Sequence, residues 1–113
     1  MTLYNWDNEI NASISVCNEN GKIVYLNKQA LAHFQKDGGE RLFGSDILDC
    51  HPEPSKSILK NMMLSQKENI YSIEKNGKKK IIIQKPWFAE GIYKGFVEIV
   101  TEIPIDLPHF VRA

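Results

Sequence analysis

The 113-residue sequence predicts an α+β domain in which five antiparallel strands make one concave sheet and helices cover one of its faces. Three observations carry this. Apolar alternation over residues 14–17 and 22–26 flanks Asn20-Gly21, a pair that favours a tight antiparallel hairpin because both residues tolerate positive φ. A helical spacing of apolar residues follows at once in Ala30, Leu31 and Phe34 and continues further on, over residues 58–63. The strand period then returns over residues 70–74 and 80–84, around Asn76-Gly77, and ends in a long run over residues 93–103.

Taken in chain order, Leu3, Trp6 and Ile10 recur at helical spacing and predict a flanking helix within residues 1–12, with one apolar stripe. Such a stripe must cover something, either its own domain or a second copy of the chain, in which case Leu3, Trp6 and Ile10 would form a dimer interface. The first hairpin is expected to turn through a type I′ Asn20-Gly21. Asn27 reads as the cap of the next helix, its carboxamide accepting from backbone amides of the first turn. Gly38-Gly39 should stop that helix, since paired glycines are poor helix formers.

A further segment over residues 41–49 leads into Cys50-His51-Pro52-Glu53-Pro54, where each proline removes an amide donor and disfavours the α conformation before it. Pro54 can sit in the first turn of the long helix, whose buried face is written by Ile58, Leu59, Met62 and Met63. The second hairpin turns at Asn76-Gly77; Trp87 and Phe88 continue its second strand, and Glu90-Gly91 offers the last turn. Pro104 and Pro108 oppose any helix after the final strand, so residues 104–113 are expected to be an extended apolar tail.

Fourteen basic residues balance fourteen acidic ones, so no global field draws the chain to nucleic acid or to an anionic membrane. The apolar runs are short and the N-terminus lacks the pattern of a secretory signal, which predicts a soluble, cytoplasmic protein. Two cysteines make no disulfide framework; both read as reduced, Cys17 as a small core residue. No phosphate loop, nucleophile elbow or His-Glu-x-x-His pattern occurs, so the chain does not read as an enzyme.

Three stretches carry a resemblance to a known family: residues 20–27 with Ala30 after them, residues 44–52, and residues 91–103. Their order resembles PAS sensor domains, over nearly the whole chain, and the His51-Pro52 step resembles PAS domains found beside hemerythrin-like modules. The resemblance implies a PAS-like sheet of order 2-1-5-4-3 over residues 13–103, with helices on one face around a ligand-sized cavity. It implies a stand-alone sensory module that binds a small molecule or cofactor and signals through a partner protein in trans. The rival reading is a ligand-free dimerisation module.

Phe34, His51, Met62, Met63, Tyr71, Ile83 and Trp87 are the residues expected to wall the cavity. Methionine suits such walls because its unbranched thioether repacks around different guests, although stripes of this kind also serve simply as core. His51 is the candidate haem ligand, an imidazole at the head of the pocket-side helix; its other reading is a turn-fixing side chain bonded to a backbone group. Non-covalent flavin stands beside haem as a candidate cofactor, and no cofactor at all is an equal alternative; the reactive-cysteine motif of flavin photosensors is absent around Gly44, Ser45, Asp46 and Ile47. His33 and His109 lack partners at metal-ligand spacing, so no metal site is expected. The run Lys78-Lys79-Lys80 reads as a solvated sheet edge.

Overall fold

A computed structural model describes residues 4–49 and 51–113; the expectations for Leu3 and Cys50 lie outside the described residues. Five strands, β1 (Ser13–Asn18), β2 (Ile23–Leu26), β3 (Asn69–Lys75), β4 (Lys78–Ala89) and β5 (Ile92–Ile103), form one sheet in the order β2-β1-β5-β4-β3. Every neighbouring pair is antiparallel, and β1 against β5 joins the two ribbons that the helical insert separates in sequence. The helices are α1 (Trp6–Glu9), α2 (Lys28–His33) and α3 (Ser55–Ser65), with short 3-10 turns at Gln35–Asp37 and Gly39–Leu42. The expected α+β architecture and strand order are those observed.

The hairpin turns follow their residues, with one correction. Asn76-Gly77 and Glu90-Gly91 both have positive φ at the two turn positions, as a two-residue hairpin loop requires. Asn20-Gly21 does not form the expected type I′ turn, because only Gly21 has positive φ. The cause is Asn18: its carbonyl accepts from Gly21 N at 2.9 Å, and its side-chain Oδ1 accepts from Asn20 N and Lys22 N, each at 3.0 Å. A local side-chain acceptor thus stabilises a longer loop with glycine at its left-handed end. Gly21 is also buried, and a Cβ there would lie 2.9 Å from the Met63 terminal methyl of α3.

The free edge of β2 is closed by the segment that follows the 3-10 turns. Ile23 N donates to Ser45 O, Gly44 N to Ile23 O and Ile47 N to Gly21 O, at 2.8–2.9 Å. Covering an edge in this way satisfies backbone groups that would otherwise invite another strand.

Asn27 is the junction of the N-terminal half. It is completely buried and caps α2 as expected, Oδ1 accepting from Ala30 N at 2.9 Å, but the same oxygen also accepts from Ile14 N at 3.0 Å. Its Nδ2 donates to Asp7 O at 2.7 Å and Ala12 O at 2.9 Å, so all four bonding positions of the amide are used.

These contacts, with Tyr25 Oη donating to Asp7 and Lys28 N donating to Asn8 Oδ1 at 2.8 Å, hold α1 by polar groups. Of the expected apolar stripe, the described residues stay largely uncovered: α1 is a single turn, Trp6 is 68% exposed and Ile10 46%. A second correction concerns α3. It buries Met62 and half-buries Leu59 and Met63, but Ile58 is 54% exposed and is not part of the buried face. The tail beyond β5 turns at Ile105-Asp106, carries no helix or strand after it, and exposes Ile105, Leu107, Phe110 and Val111.

Two small core clusters result. One joins Ile23 and Leu26 of β2 to Ala30 of α2 and to Leu42, with Leu31 and Phe34 against it. The other joins Cys17 of β1, Phe96 of β5 and Met62 of α3, with Leu59, Met63 and Tyr93 against it; Ile47 touches both.

Candidate functional site

The alternation of a β-strand sends every second side chain to the same face, and cross-strand partners share that face. The pairings Ser15↔Leu26, Ser15↔Glu98, Gln84↔Glu98 and Asn69↔Gln84 therefore put Leu26, Ser15, Glu98, Gln84 and Asn69 on one side of the sheet. So do Cys17↔Phe96, Ile82↔Val100 and Tyr71↔Ile82. This is the side that the helices cover.

Between sheet and helices lies a cavity of about 400 Å³. Its walls include Leu26, Leu42 and Phe34 from the first core cluster and Cys17, Met62 and Phe96 from the second. Small-molecule sites commonly span roughly 300–1,000 Å³, so the cavity suits a compact guest. Of the residues expected at the site, Phe34, His51, Met62, Met63 and Tyr71 do meet around this one space.

Ile83 and Trp87 do not. Ile82 and Gln84 of β4 face the cavity, so Ile83 between them points to the opposite face, and Trp87 shares its parity. Trp87 has a different partner: its indole Nε1 donates to Cys17 O at 3.3 Å, across Gly95.

The residues missed in sequence are the polar ones of the floor. Asn69 Nδ2 donates to Gln84 Oε1 at 3.0 Å, and Gln84 Nε2 donates to Glu98 Oε2 at 2.7 Å. Ser15, the cross-strand neighbour of Glu98, holds its hydroxyl buried with no hydrogen-bond partner among the described residues. The available signal was weak: a lone polar residue two positions from an apolar one in each of three distant strands.

His51 lies in the loop before α3, exposed and at the cavity wall, with Nδ1 2.6 Å from Ile47 O. A carbonyl only accepts, so Nδ1 carries the proton, which leaves Nε2 as the lone-pair nitrogen of the neutral ring. The backbone-bonded reading of His51 thus describes its contact, while its second nitrogen keeps ligand chemistry. Burial raises the Cys17 thiol pKa, with smaller opposing hydrogen bonds from backbone. Burial first, and then the Glu98 carboxylate, raise the Tyr71 phenol. No group of three or more His, Cys, Asp or Glu side chains converges to hold a metal among the described residues, and no helix there is long and apolar enough to cross a membrane.

No protein-family model matches the sequence, and no curated protein matches it. Solved structures do match in shape. A C-terminal domain from Streptococcus mutans aligns at TM-score 0.69 and 16% identity, covering 90% of each chain. The PAS domain of the histidine kinase ThkA aligns at TM-score 0.63 and 15% identity over 81% of this chain and 99% of its own. The Aer2 receptor from Vibrio cholerae, described as a dual PAS-heme oxygen sensor, aligns at TM-score 0.55 and 19% identity over 82% of this chain and 95% of its own. Strand order, a helical insert on one face and these neighbours together give the chain the PAS fold.

Proposed function

We propose that the chain is a PAS-type sensory module that takes a small molecule into the cavity between sheet and α3 and signals through contacts with another protein. The supporting observation is the 400 Å³ space itself, whose walls draw on two small core clusters that share Ile47. Interiors are normally packed to near-crystal density, so a space of this size in a small domain is stabilised best by a guest. Occupancy changes a partner's affinity only if the guest binds one conformation of the domain better than another. Binding, not catalysis, is the reading that the walls favour.

Haem fits these walls poorly. Two imidazoles, His33 and His51, border the cavity, but the floor carries the Glu98 carboxylate and the unpartnered Ser15 hydroxyl, which a porphyrin face would bury at a cost. A compact guest, or a flavin-like heteroaromatic edge, suits the floor better. The test is an absorption spectrum of the purified protein together with mass spectrometry of whatever it releases on denaturation. A released small molecule, lost when Cys17→Phe fills the cavity, supports the reading. A Soret band abolished by His51→Ala would restore haem, and an empty protein that binds nothing from a small-molecule screen overturns the sensor reading.

The exposure of Trp6 and Ile10 favours a second reading, that the N-terminal segment joins two copies of the chain. Sedimentation of the full chain beside the Trp6→Ala, Ile10→Ser variant decides it. A dimer that the variant dissociates supports this interface; monomers in both cases remove it.

A further inference from the structure

We propose that the cavity selects an apolar or aromatic molecule carrying a hydrogen-bond donor, best as a protonated amine, and discriminates against carboxylates. This rests on the small-molecule reading above and names the chemistry of its guest. The carrier is the polar row on the floor, whose bonds all run one way. Asn69 donates to Gln84, Gln84 donates to Glu98, and the row ends on a carboxylate beside Ser15.

The direction of the row fixes what is left over. Gln84 gives one of its two amide hydrogens to Glu98 and its oxygen accepts from Asn69, so the row holds its orientation and delivers its last bond to the carboxylate. Glu98 Oε2 takes the Gln84 bond, while Oε1 accepts none among the described residues. An ionised carboxylate only accepts, so the open position at the end of the row asks for a donor. The Ser15 hydroxyl, buried and unpartnered, adds a group that can accept from the same donor or give to an acceptor next to it.

Charge points the same way. The charged side chains at the cavity are Asp37, Glu98 and Lys80, two acids against one base, which gives a net charge of −1. On the same face of the sheet, Glu98 adds, after burial, to the upward shift of the Tyr71 phenol. Most of the remaining walls, Leu26, Phe34, Met62, Ile82 and Phe96 among them, offer apolar contact, with His33, His51 and Tyr71 adding neutral polar edges. A guest with an apolar body and one donor end fills both parts; a carboxylate would face Glu98 across a low-dielectric space.

The experiment compares three probes of similar size, phenethylamine, ethylbenzene and 3-phenylpropanoate, by their effect on the methyl resonances of Met62 and Met63 in the full chain. The amine is expected to bind at least roughly tenfold more tightly than the carboxylate, with ethylbenzene between them. Glu98→Gln should erase most of that preference, and Ser15→Ala should weaken the amine severalfold while sparing ethylbenzene. The wild-type ranking is decisive even if a variant fails to fold. Carboxylate binding equal to or tighter than amine binding overturns the inference and leaves the pocket standing. No methyl response to any of the three removes the accessible cavity, and with it both this inference and the function on which it rests.

Discussion

Gly95 lies directly against the backbone of Cys17: a Cβ built on Gly95 would sit 1.9 Å from the Cys17 carbonyl oxygen. Gly95 also has φ +138, a conformation that L side chains rarely adopt. The same oxygen accepts the Trp87 indole N–H, so three strands, β1, β5 and β4, meet at one point where no side chain is tolerated. Gly95→Ala should therefore destabilise the domain by about 3 kcal/mol or more, since the neighbour is backbone and cannot swing away. Gly77→Ala is the control, with a positive φ and open space around it, and should cost only about 1–2 kcal/mol. Urea midpoints of the two variants give the comparison, and equal losses would refute the account of Gly95.

Asn27 supports a second prediction. Asn27→Ala removes a buried amide that serves two donors, Ile14 N and Ala30 N, and two acceptors, Asp7 O and Ala12 O. The orphaned backbone groups should cost about 2–4 kcal/mol. Asn27→Asp should be no milder, because its carboxylate would face two carbonyl oxygens that only accept. A local signature separates this from general damage: amide exchange should speed up first in residues 6–10, which the Asp7 contact tethers. Uniform loss of protection through the sheet would contradict the tethering role.

The legibility of this fold divides along physical lines. Turn chemistry and strand alternation are local, and they located all five strands, the helices and the Asn27 cap. The face of each side chain is not local. In β4 three isoleucines follow one another, Ile81, Ile82 and Ile83, so alternation carries no inside or outside signal there. The pairing Tyr71↔Ile82 sets the register and sends Ile83 outward, where a one-residue slip would have reversed it. The floor row was hidden for the same reason, since Asn69, Gln84 and Glu98 meet only after three strands align. The Asn20-Gly21 turn failed through a local competitor, Asn18, whose side chain bonds two nearby amides.

Tyr25 and Asp7 give a prediction in pH. The Tyr25 phenol donates to the Asp7 carboxylate, and that bond first, then burial, raises its pKa to about 12. A raised folded value means the contact stabilises the fold fully below the ordinary tyrosine range near about 10 and is lost as pH rises through about 12. The tyrosinate absorbance of wild type minus that of Tyr25→Phe isolates this ring from the others. Its titration should lie well above pH 10, and Asp7→Asn should bring it down. A midpoint unmoved by Asp7→Asn would show that the carboxylate is not the cause.

Cys17 provides the last test, because it joins burial, reactivity and the cavity in one side chain. The residue is 5% exposed, its sulfur lies among Met62 and Phe96, and burial raises its thiol pKa. The thiolate is the reactive form, so both access and ionisation protect it. In a Cys50→Ser background, iodoacetamide at about pH 8 should leave Cys17 unmodified in the native protein and modify it completely in denaturant. A small apolar thiol reagent, able to enter the cavity that Cys17 borders, should react faster than iodoacetamide does, and an occupant of the cavity should slow it. If both reagents react at the rate of global unfolding, with no effect of a guest, the thiol is sealed in core and does not face a space that molecules enter.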